Sequence, residues 1–178
     1  MKHFDFSQRF HQLYDKAVAL YGEGKRGADT FFSDDEKRFL AANGISPQHM
    51  YDYAEDHNGY RGEPGFDQAL GIELVRRDYF LNMQNGRAST QVLDESKLPA
   101  KTDAVRGIAW LPRLFPKALA KLHGELPTSL MYCCGGDRKF FKEHDILPAE
   151  FLALTWRHEN DGGAVVEWVA RRSAAAKV

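Results

Sequence analysis

Apolar residues recur every three or four positions along most of the chain, which is the spacing of amphipathic helices. The first such run ends at Gly22, a residue type that commonly terminates helices, and its apolar positions are Phe6, Phe10, Leu13, Ala17 and Leu20. A longer run follows Glu63-Pro64 and ends near Asn85-Gly86; its apolar positions include Phe66, Ala69, Leu70, Leu74 and Leu81. No series of alternating strands is evident, although SLMYCC (residues 129–134) has the composition of a short extended segment. The pattern predicts an all-α, or nearly all-α, helical bundle.

The stretch FLAANGISPQHMYDYAED (residues 39–56) has the pattern of a helix-turn-helix. Ser33 and Glu36 have the spacing of a capping box at the start of the first helix, which is expected to end at Asn43-Gly44. Ser46 then suits the N-cap of a second helix, with Pro47 at its first position. We therefore predict two short helices joined by a tight turn.

Helix-turn-helix units are common in DNA-binding regulators, but the charges here argue against that function. No Lys or Arg occurs between Arg38 and Arg61, so the second helix lacks the cations that a helix needs beside phosphates. The formal net charge of the whole chain is −1, whereas nucleic-acid-binding proteins usually carry a basic surplus. DNA binding is the disfavoured alternative, and nucleic acid is not expected as a partner.

The same helix-turn-helix pattern occurs again at an offset of 101 residues. The paired positions are Phe39 with Phe140, Leu40 with Phe141, Ile45 with Ile146, Pro47 with Pro148 and Met50 with Phe151. One explanation is a structural unit that is used twice. The other is that capping and packing rules make many helix pairs look alike.

A polar segment, residues 87–103, interrupts the helical pattern. Ordinary connections in compact domains are about 4–6 residues long, so this segment is either a linker or a functional loop. We predict an N-terminal helical half at residues 1–86 and a C-terminal helical half at residues 104–178.

Composition indicates a soluble cytoplasmic protein. Hydrophobic residues make up 43% of the chain, no apolar run approaches the roughly 20 residues that cross a bilayer, and the first residues lack a signal-peptide pattern. Cys133 and Cys134 are adjacent, and a disulfide between neighbours is strained, so both are expected to be reduced thiols.

A basic stripe lies at four-residue steps on the predicted helix that follows Trp110. Its members are Arg113, Lys117 and Lys121, while Leu114, Ala118 and Leu122 can face the core. Such a stripe can bind a phosphate, a carboxylate or an acidic protein partner. The alternative is a solvated helix face, which is the usual meaning of such a run.

The same region resembles the bacterial domain-of-unknown-function family DUF5069 from about Val105 to Val169. The motifs that carry the resemblance are VRGIAWLPRLFPKALAKLHGELP, YCCGGDRKFF, ILPAEFLAL and VVEWV. The matched positions are Trp110, Leu111, Pro112, Arg113, Lys117, Gly124, Tyr132, Cys134, Asp137, Ile146 and Trp168. Phe115-Pro116 and Gly135-Gly136 depart from the family pattern. The resemblance names a relative without implying an activity.

Two enzyme hypotheses remain open beside ligand binding. Cys134 has the residue type of a nucleophile, with His123 or His144 as base and Asp137 as the orienting carboxylate; the alternative is that both cysteines are buried small residues. Three segments rich in His and carboxylates, at residues 55–57, 143–145 and 158–161, suggest a metal site but lack the spacing of a known motif. No metal or cofactor is assigned.

A last group of polar residues could line a pocket between helices. It comprises Asp56, His57, Tyr60, Arg61 and Glu63 near one helix end and Arg76, Arg77 and Asp78 on the next helix. The alternative is a set of structural ion pairs, Asp56 with Arg61 and Arg77 with Asp78. Taken together, we expect a module that binds a small anionic molecule or an acidic partner, with homo-oligomerisation left open.

Overall fold

The computed structural model describes residues 3–175, which form eight α-helices and one two-stranded hairpin. The prediction of a nearly all-α protein is confirmed. The chain divides between Arg87 and Ala88 into two compact units. Within residues 3–175, no helix has the length and hydropathy that crossing a membrane requires.

The first unit contains four helices: α1 (Phe6–Gly22), α2 (Asp34–Ala41), α3 (Pro47–Gly59) and α4 (Phe66–Asn82). The helix-turn-helix prediction is confirmed by α2 and α3. Ser33 and Glu36 form the capping box of α2, and the Ser46 hydroxyl accepts the His49 amide at the start of α3. These caps satisfy amide groups that a helix N-terminus otherwise leaves without partners.

The buried face of α4 differs from the expected apolar positions. Leu74 is 42% exposed, whereas Glu73 and Arg76 are buried. The Tyr53 hydroxyl donates to Glu73 Oε1 at 2.8 Å, and Arg76 Nη1 donates to Gln84 Oε1 at 2.8 Å. Periodicity treats charged residues as exposed, so it could not find a helix face that is buried through hydrogen-bonded polar groups.

The second unit also contains four helices: α5 (Leu111–His123), α6 (Gly135–Glu143), α7 (Pro148–Arg157) and α8 (Gly162–Ala175). A small antiparallel hairpin precedes α5; its strands β1 (Ala104–Val105) and β2 (Ile108–Ala109) pair Ala104 with Ala109 and Val105 with Ile108. The polar segment packs within this unit, since the Leu93 amide donates to the Glu125 carbonyl at 2.8 Å. Residues 129–134 contain no strand; turns occur at Ser129 and at Tyr132-Cys133.

The two units share one internal plan. In each, a long helix is followed by a helix-turn-helix and then by a fourth helix. A lysine on the first helix pairs with a carboxylate 20 residues later, Lys16 with Glu36 and Lys117 with Asp137. The offset of 101 residues seen in the sequence therefore extends to an ion pair that joins equivalent helices.

Candidate ligand-binding site in the second unit

Asp137 is the central residue of the candidate site. It lies in the first turn of α6, is fully buried and accepts hydrogen bonds from three other parts of the unit. Lys117 Nζ and the Cys133 amide donate to Oδ2 at 2.7 and 2.8 Å, and Trp110 Nε1 donates to Oδ1 at 3.0 Å. Each of these donors helps to satisfy a carboxylate that would otherwise be costly to bury. Asp137 thus fixes the Trp110 indole and the turn before α6.

Lys117 is a buried partner of Asp137 and not part of a solvated face. Its exposed fraction is 2%, and the same value applies to Lys121. Burial alone would lower the pKa of the Lys117 ammonium, but the Asp137 carboxylate and the Cys134 sulfur outweigh that effect and raise the pKa. The solvated-face alternative is therefore wrong for these two lysines.

Two non-glycine residues around Asp137 have left-handed backbone conformations. Trp110 has φ 70° and Cys133 has φ 71°. A positive φ is uncommon for residues with a side chain and marked for a bulky one such as Trp. Strained conformations of this kind persist only where the surroundings fix them, and they cluster at functional sites. The Asp137 hydrogen bonds to both residues are such surroundings.

The two adjacent cysteines have different environments. Cys133 is fully buried, and burial together with the negative charge of Asp137 raises the pKa of its thiol to about 12. Cys134 is half-buried at the N-cap of α6, and Lys117 Nζ lies 3.2 Å from its sulfur. Both are free thiols. Only Cys134 combines solvent access with a neighbouring cation.

A cavity of about 430 Å³ opens beside the Asp137 cluster, between the β1–β2 hairpin and helices α6 and α8. Ile108, Trp110, Gly136 and the buried Phe140 are among the residues that line it. Gly136 is required there because a Cβ at this position would overlap the six-membered ring of Trp110. The indole is therefore held against α6 both by its hydrogen bond to Asp137 and by the missing side chain beneath it.

The rim of this cavity is mainly cationic. Lys101, Arg106 and Lys139 line it together with one acidic residue, Glu143. Arg106 is paired with Glu167, whereas Lys101 and Lys139 have exposed side chains. A negatively charged group entering the cavity would therefore meet a predominance of positive charge.

His144 and Ser173 form a buried polar pair of the cavity lining. The Ser173 hydroxyl donates its single proton to the Val169 carbonyl at 2.7 Å. Its oxygen therefore accepts from His144 Nδ1, which lies 2.7 Å away. This network assigns the Nδ1–H tautomer to the neutral imidazole, so Nε2 is its acceptor atom.

The remaining sequence-predicted residues of this region have structural contacts. Arg113 Nη1 donates to the Pro99 carbonyl at 3.0 Å and so holds the polar segment against α5. The Tyr132 hydroxyl donates to the Pro148 carbonyl at 2.8 Å at the start of α7, and full burial raises its pKa well above the ordinary value. Of the predicted ligand-binding residues in this unit, Trp110 is the one among those that line the cavity, and Glu143 and His144 of the two enzyme hypotheses line it as well.

The polar group predicted in the first unit is not brought together around one pocket. His57 Nδ1 lies 2.9 Å from the Tyr14 hydroxyl, while Arg77 lies over the Phe6 ring at 4.8 Å. Phe6 and Tyr14 are eight residues apart on α1, which corresponds to about 12 Å along a helix. Asp56 lines a separate open hollow with Tyr21, Arg26, Glu55 and Tyr60. Arg61 has φ 54° and lies in the turn after α3.

The metal hypothesis gains no geometric support. Within residues 3–175, no group of three or more His, Cys, Asp and Glu side chains is placed to hold a metal ion. His123 does lie near two carboxylates, with ring nitrogens 3.6 Å from Glu125 and 3.4 Å from Glu159. These contacts link the end of α5 to the turn after α7.

Sequence reasoning missed most of the residues that line the cavity. Lys101 lies in the polar segment predicted as a linker or a functional loop, and Ser173 belongs to no motif. Arg106 and Lys139 lie within stretches that resemble DUF5069 but are not among the matched positions. The glycine pair at residues 135–136 departs from the family pattern, and no sequence pattern indicates that Gly136 packs against Trp110. The one usable signal was the offset of 101 residues, which places Gly107 at the position of Phe6.

Comparisons with protein-family models, curated proteins and solved structures found no match to this chain. The resemblance to DUF5069 therefore stays a prediction, and the functional argument depends on the geometry of the site.

Proposed function

We propose that this protein binds a small anionic molecule in the cavity of its second unit. The observation that carries the proposal is the combination of an aromatic and aliphatic wall with a mainly cationic rim around about 430 Å³. Ligand sites typically combine an apolar lining with a few polar groups that orient the bound molecule. Here Lys101 and Lys139 supply the charge and Trp110 supplies the wall.

The proposed anion site does not use Arg113 or Lys117, the residues that the sequence predicted to bind the anion. Arg113 and Lys117 already bind a carbonyl and a carboxylate of the protein, so they act through the shape of the site. Their resemblance to DUF5069 positions is compatible with this supporting role, because Trp110 and Asp137 are also among the matched positions.

Native mass spectrometry of the freshly purified protein is the first test, since a retained ligand would appear as added mass. Isothermal titration calorimetry with monocarboxylates such as 3-phenylpropionate and hexanoate follows. We expect binding that weakens with added salt and is reduced by the Lys101→Gln/Lys139→Gln double variant. Lys142→Gln is the matched control, because Lys142 lies on the same helix outside the cavity lining.

Two outcomes would overturn the proposal. One is the absence of any retained ligand and of any carboxylate binding at millimolar concentration. The other is equal loss of binding in the control and in the double variant, which would indicate a general charge effect and not a site.

A further inference from the structure

We infer that the ligand carries an aromatic ring next to its anionic group, and that this ring takes the place filled by the Phe6 side chain in the first unit. The inference rests on the proposed function and adds the chemical class of the ligand. It depends on comparing residues at equivalent positions of the two units, using only contacts within each unit.

Equivalent buried residues show that the offset of 101 aligns the two units. Leu13 and Ala17 of α1 correspond to Leu114 and Ala118 of α5, and all four are buried. The lysine–carboxylate pairs Lys16–Glu36 and Lys117–Asp137 join the same helices with N–O distances of 2.6 and 2.7 Å. Position by position, Phe39 of α2 therefore corresponds to Phe140 of α6.

The fourth helix gives an independent check of this alignment. In the first unit, Arg77 Nε on α4 donates to Asn43 Oδ1 just after α2, at 2.6 Å. In the second unit, Ser173 on α8 bonds His144 just after α6, at 2.7 Å. Asn43 and His144 are again 101 positions apart, so both units tie the fourth helix to the same point of the helix-turn-helix.

In the first unit, the protein fills the position of the cavity with its own side chains. The Phe6 ring stacks on Phe39, with ring centroids 5.9 Å apart and an interplanar angle of 27°. The Arg77 guanidinium lies 4.8 Å from the centroid of Phe6, and that of Arg9 lies 4.5 Å from the centroid of Phe39. A buried aromatic ring stacked on another ring and flanked by cations thus occupies this place.

In the second unit, each of these filling groups is missing. Helix α5 begins at Leu111, the counterpart of Phe10, so the helical turn that bears Phe6 and Arg9 has no equivalent. At the offset of 101 residues, Gly107 takes the position of Phe6. Ser173 is not at that offset from Arg77, but it ties α8 to His144 as Arg77 ties α4 to Asn43. Gly107 and Ser173 both line the cavity, together with Phe140. Phe140 retains the ring of Phe39, whereas Gly107 supplies no counterpart of the Phe6 ring. The His144 imidazole packs against Phe140 at an angle of 50°, with centroids 4.4 Å apart.

The rim determines the rest of the ligand. In the first unit the cations beside the ring are arginines of the protein, whereas in the second unit Lys101 and Lys139 reach the mouth of the cavity. A carboxylate, sulfonate or phosphate on the ring would place its charge at these lysines. The expected ligand is therefore an aromatic acid and not an aliphatic one.

The test compares 3-phenylpropionate with 3-cyclohexylpropionate by calorimetry on the full chain. The two probes share the same charge and carbon skeleton, but only the first has an aromatic ring. Stacking adds a preference of about three- to tenfold in affinity for the aromatic probe. Equal affinities would overturn this inference and leave the proposed function standing. No retained ligand together with no binding of either probe or of hexanoate would overturn both.

Two leucine variants locate the effect. Phe140→Leu keeps apolar volume but removes the ring, so it should abolish the preference for the phenyl probe. Phe39→Leu is the matched control at the equivalent position of the first unit and should leave the preference intact. If Phe140→Leu does not fold, the comparison of the two probes on the wild-type chain still decides the question. A preference that persists in folded Phe140→Leu would contradict stacking on this residue.

Discussion

Lys117 Nζ lies 2.7 Å from Asp137 Oδ2, and both side chains are buried, with exposed fractions of 2% and 0%. The equivalent pair in the first unit, Lys16 with Glu36, is similarly close at 2.6 Å but is 38% and 22% exposed. The N–O distance of the ion pair is thus nearly the same in the two units, while the exposed fraction of its side chains differs. The energetic role of each pair should therefore differ as well.

Replacing Lys117 with Met should destabilise the second unit by about 3–5 kcal/mol, because it leaves the Asp137 carboxylate buried without its cation. The same change at Lys16 should cost only about 0–1 kcal/mol, as is usual for exposed pairs. All three tryptophans lie in the second unit, so fluorescence during urea unfolding reports on Lys117→Met. Circular dichroism is the appropriate signal for Lys16→Met. Similar losses of unfolding free energy in the two variants would show that burial does not determine how much each ion pair contributes to stability.

These ion pairs show which features of the fold could be predicted from the sequence. Helix caps and the turns that follow them are local, so Ser33, Glu36 and Ser46 predicted α2 and α3 correctly. Lys117 and Asp137 are 20 residues apart and lie on different helices. Packing between α5 and α6 therefore decides whether Lys117 faces solvent or Asp137. Four-residue spacing on one helix cannot report that choice.

The cavity was beyond prediction for a related reason. Its walls come from a hairpin with two residues in each strand, from one side of α6 and from the last turn of α8. A strand pair this short leaves no alternating pattern in the sequence. The rim lysines also resemble any exposed lysine until the fold places them around one opening.

Stability should fall at alkaline pH through Cys133. The pKa of its thiol rises from 9.0 to about 12 in the folded protein. Below pH 9 both states keep the proton; above it the unfolded chain ionises first, so stability decreases until the folded thiol also ionises near pH 12. The slope contributed by this one group is about 1.4 kcal/mol per pH unit.

Urea unfolding between pH 8 and pH 10.5 measures that slope in the wild type and in Cys133→Ala. The Cys133→Ala variant should lack the decrease in stability that this thiol causes above about pH 9. Cys134→Ala, which changes the neighbouring thiol, is the control. An unchanged slope in Cys133→Ala would assign the alkaline effect to other groups, including Tyr132, whose pKa is also raised.

Iodoacetamide should modify Cys134 well before Cys133 in the folded protein. Cys134 is half-buried, whereas Cys133 is fully buried and its raised pKa keeps it in the unreactive thiol form. Peptide mass spectrometry after a short exposure identifies the modified residue, and exposure in urea should modify both. Equal labelling of the two cysteines without urea would contradict the buried position of Cys133. Selective labelling at Cys134 would also keep open the hypothesis that this residue is a nucleophile.

Gly136→Ala should destabilise the second unit, although alanine normally favours a helix. A Cβ on Gly136 would overlap the Trp110 ring, which must then move away from its hydrogen bond to Asp137. Overpacking of this kind costs about 1–3 kcal/mol. The indole lines the cavity, so the variant should also bind 3-phenylpropionate more weakly.

The matched control for this change is Gly59→Ala in α3. A Cβ on Gly59 has no heavy atom within 4 Å, so alanine there should leave stability unchanged or slightly increased. Urea unfolding and tryptophan emission distinguish the two variants, since only Gly136→Ala should shift the emission of the folded state. If Gly136→Ala instead matches the control in stability, emission and affinity, the indole can adapt to the added methyl group. Close packing of Trp110 on α6 would then not be what shapes the cavity.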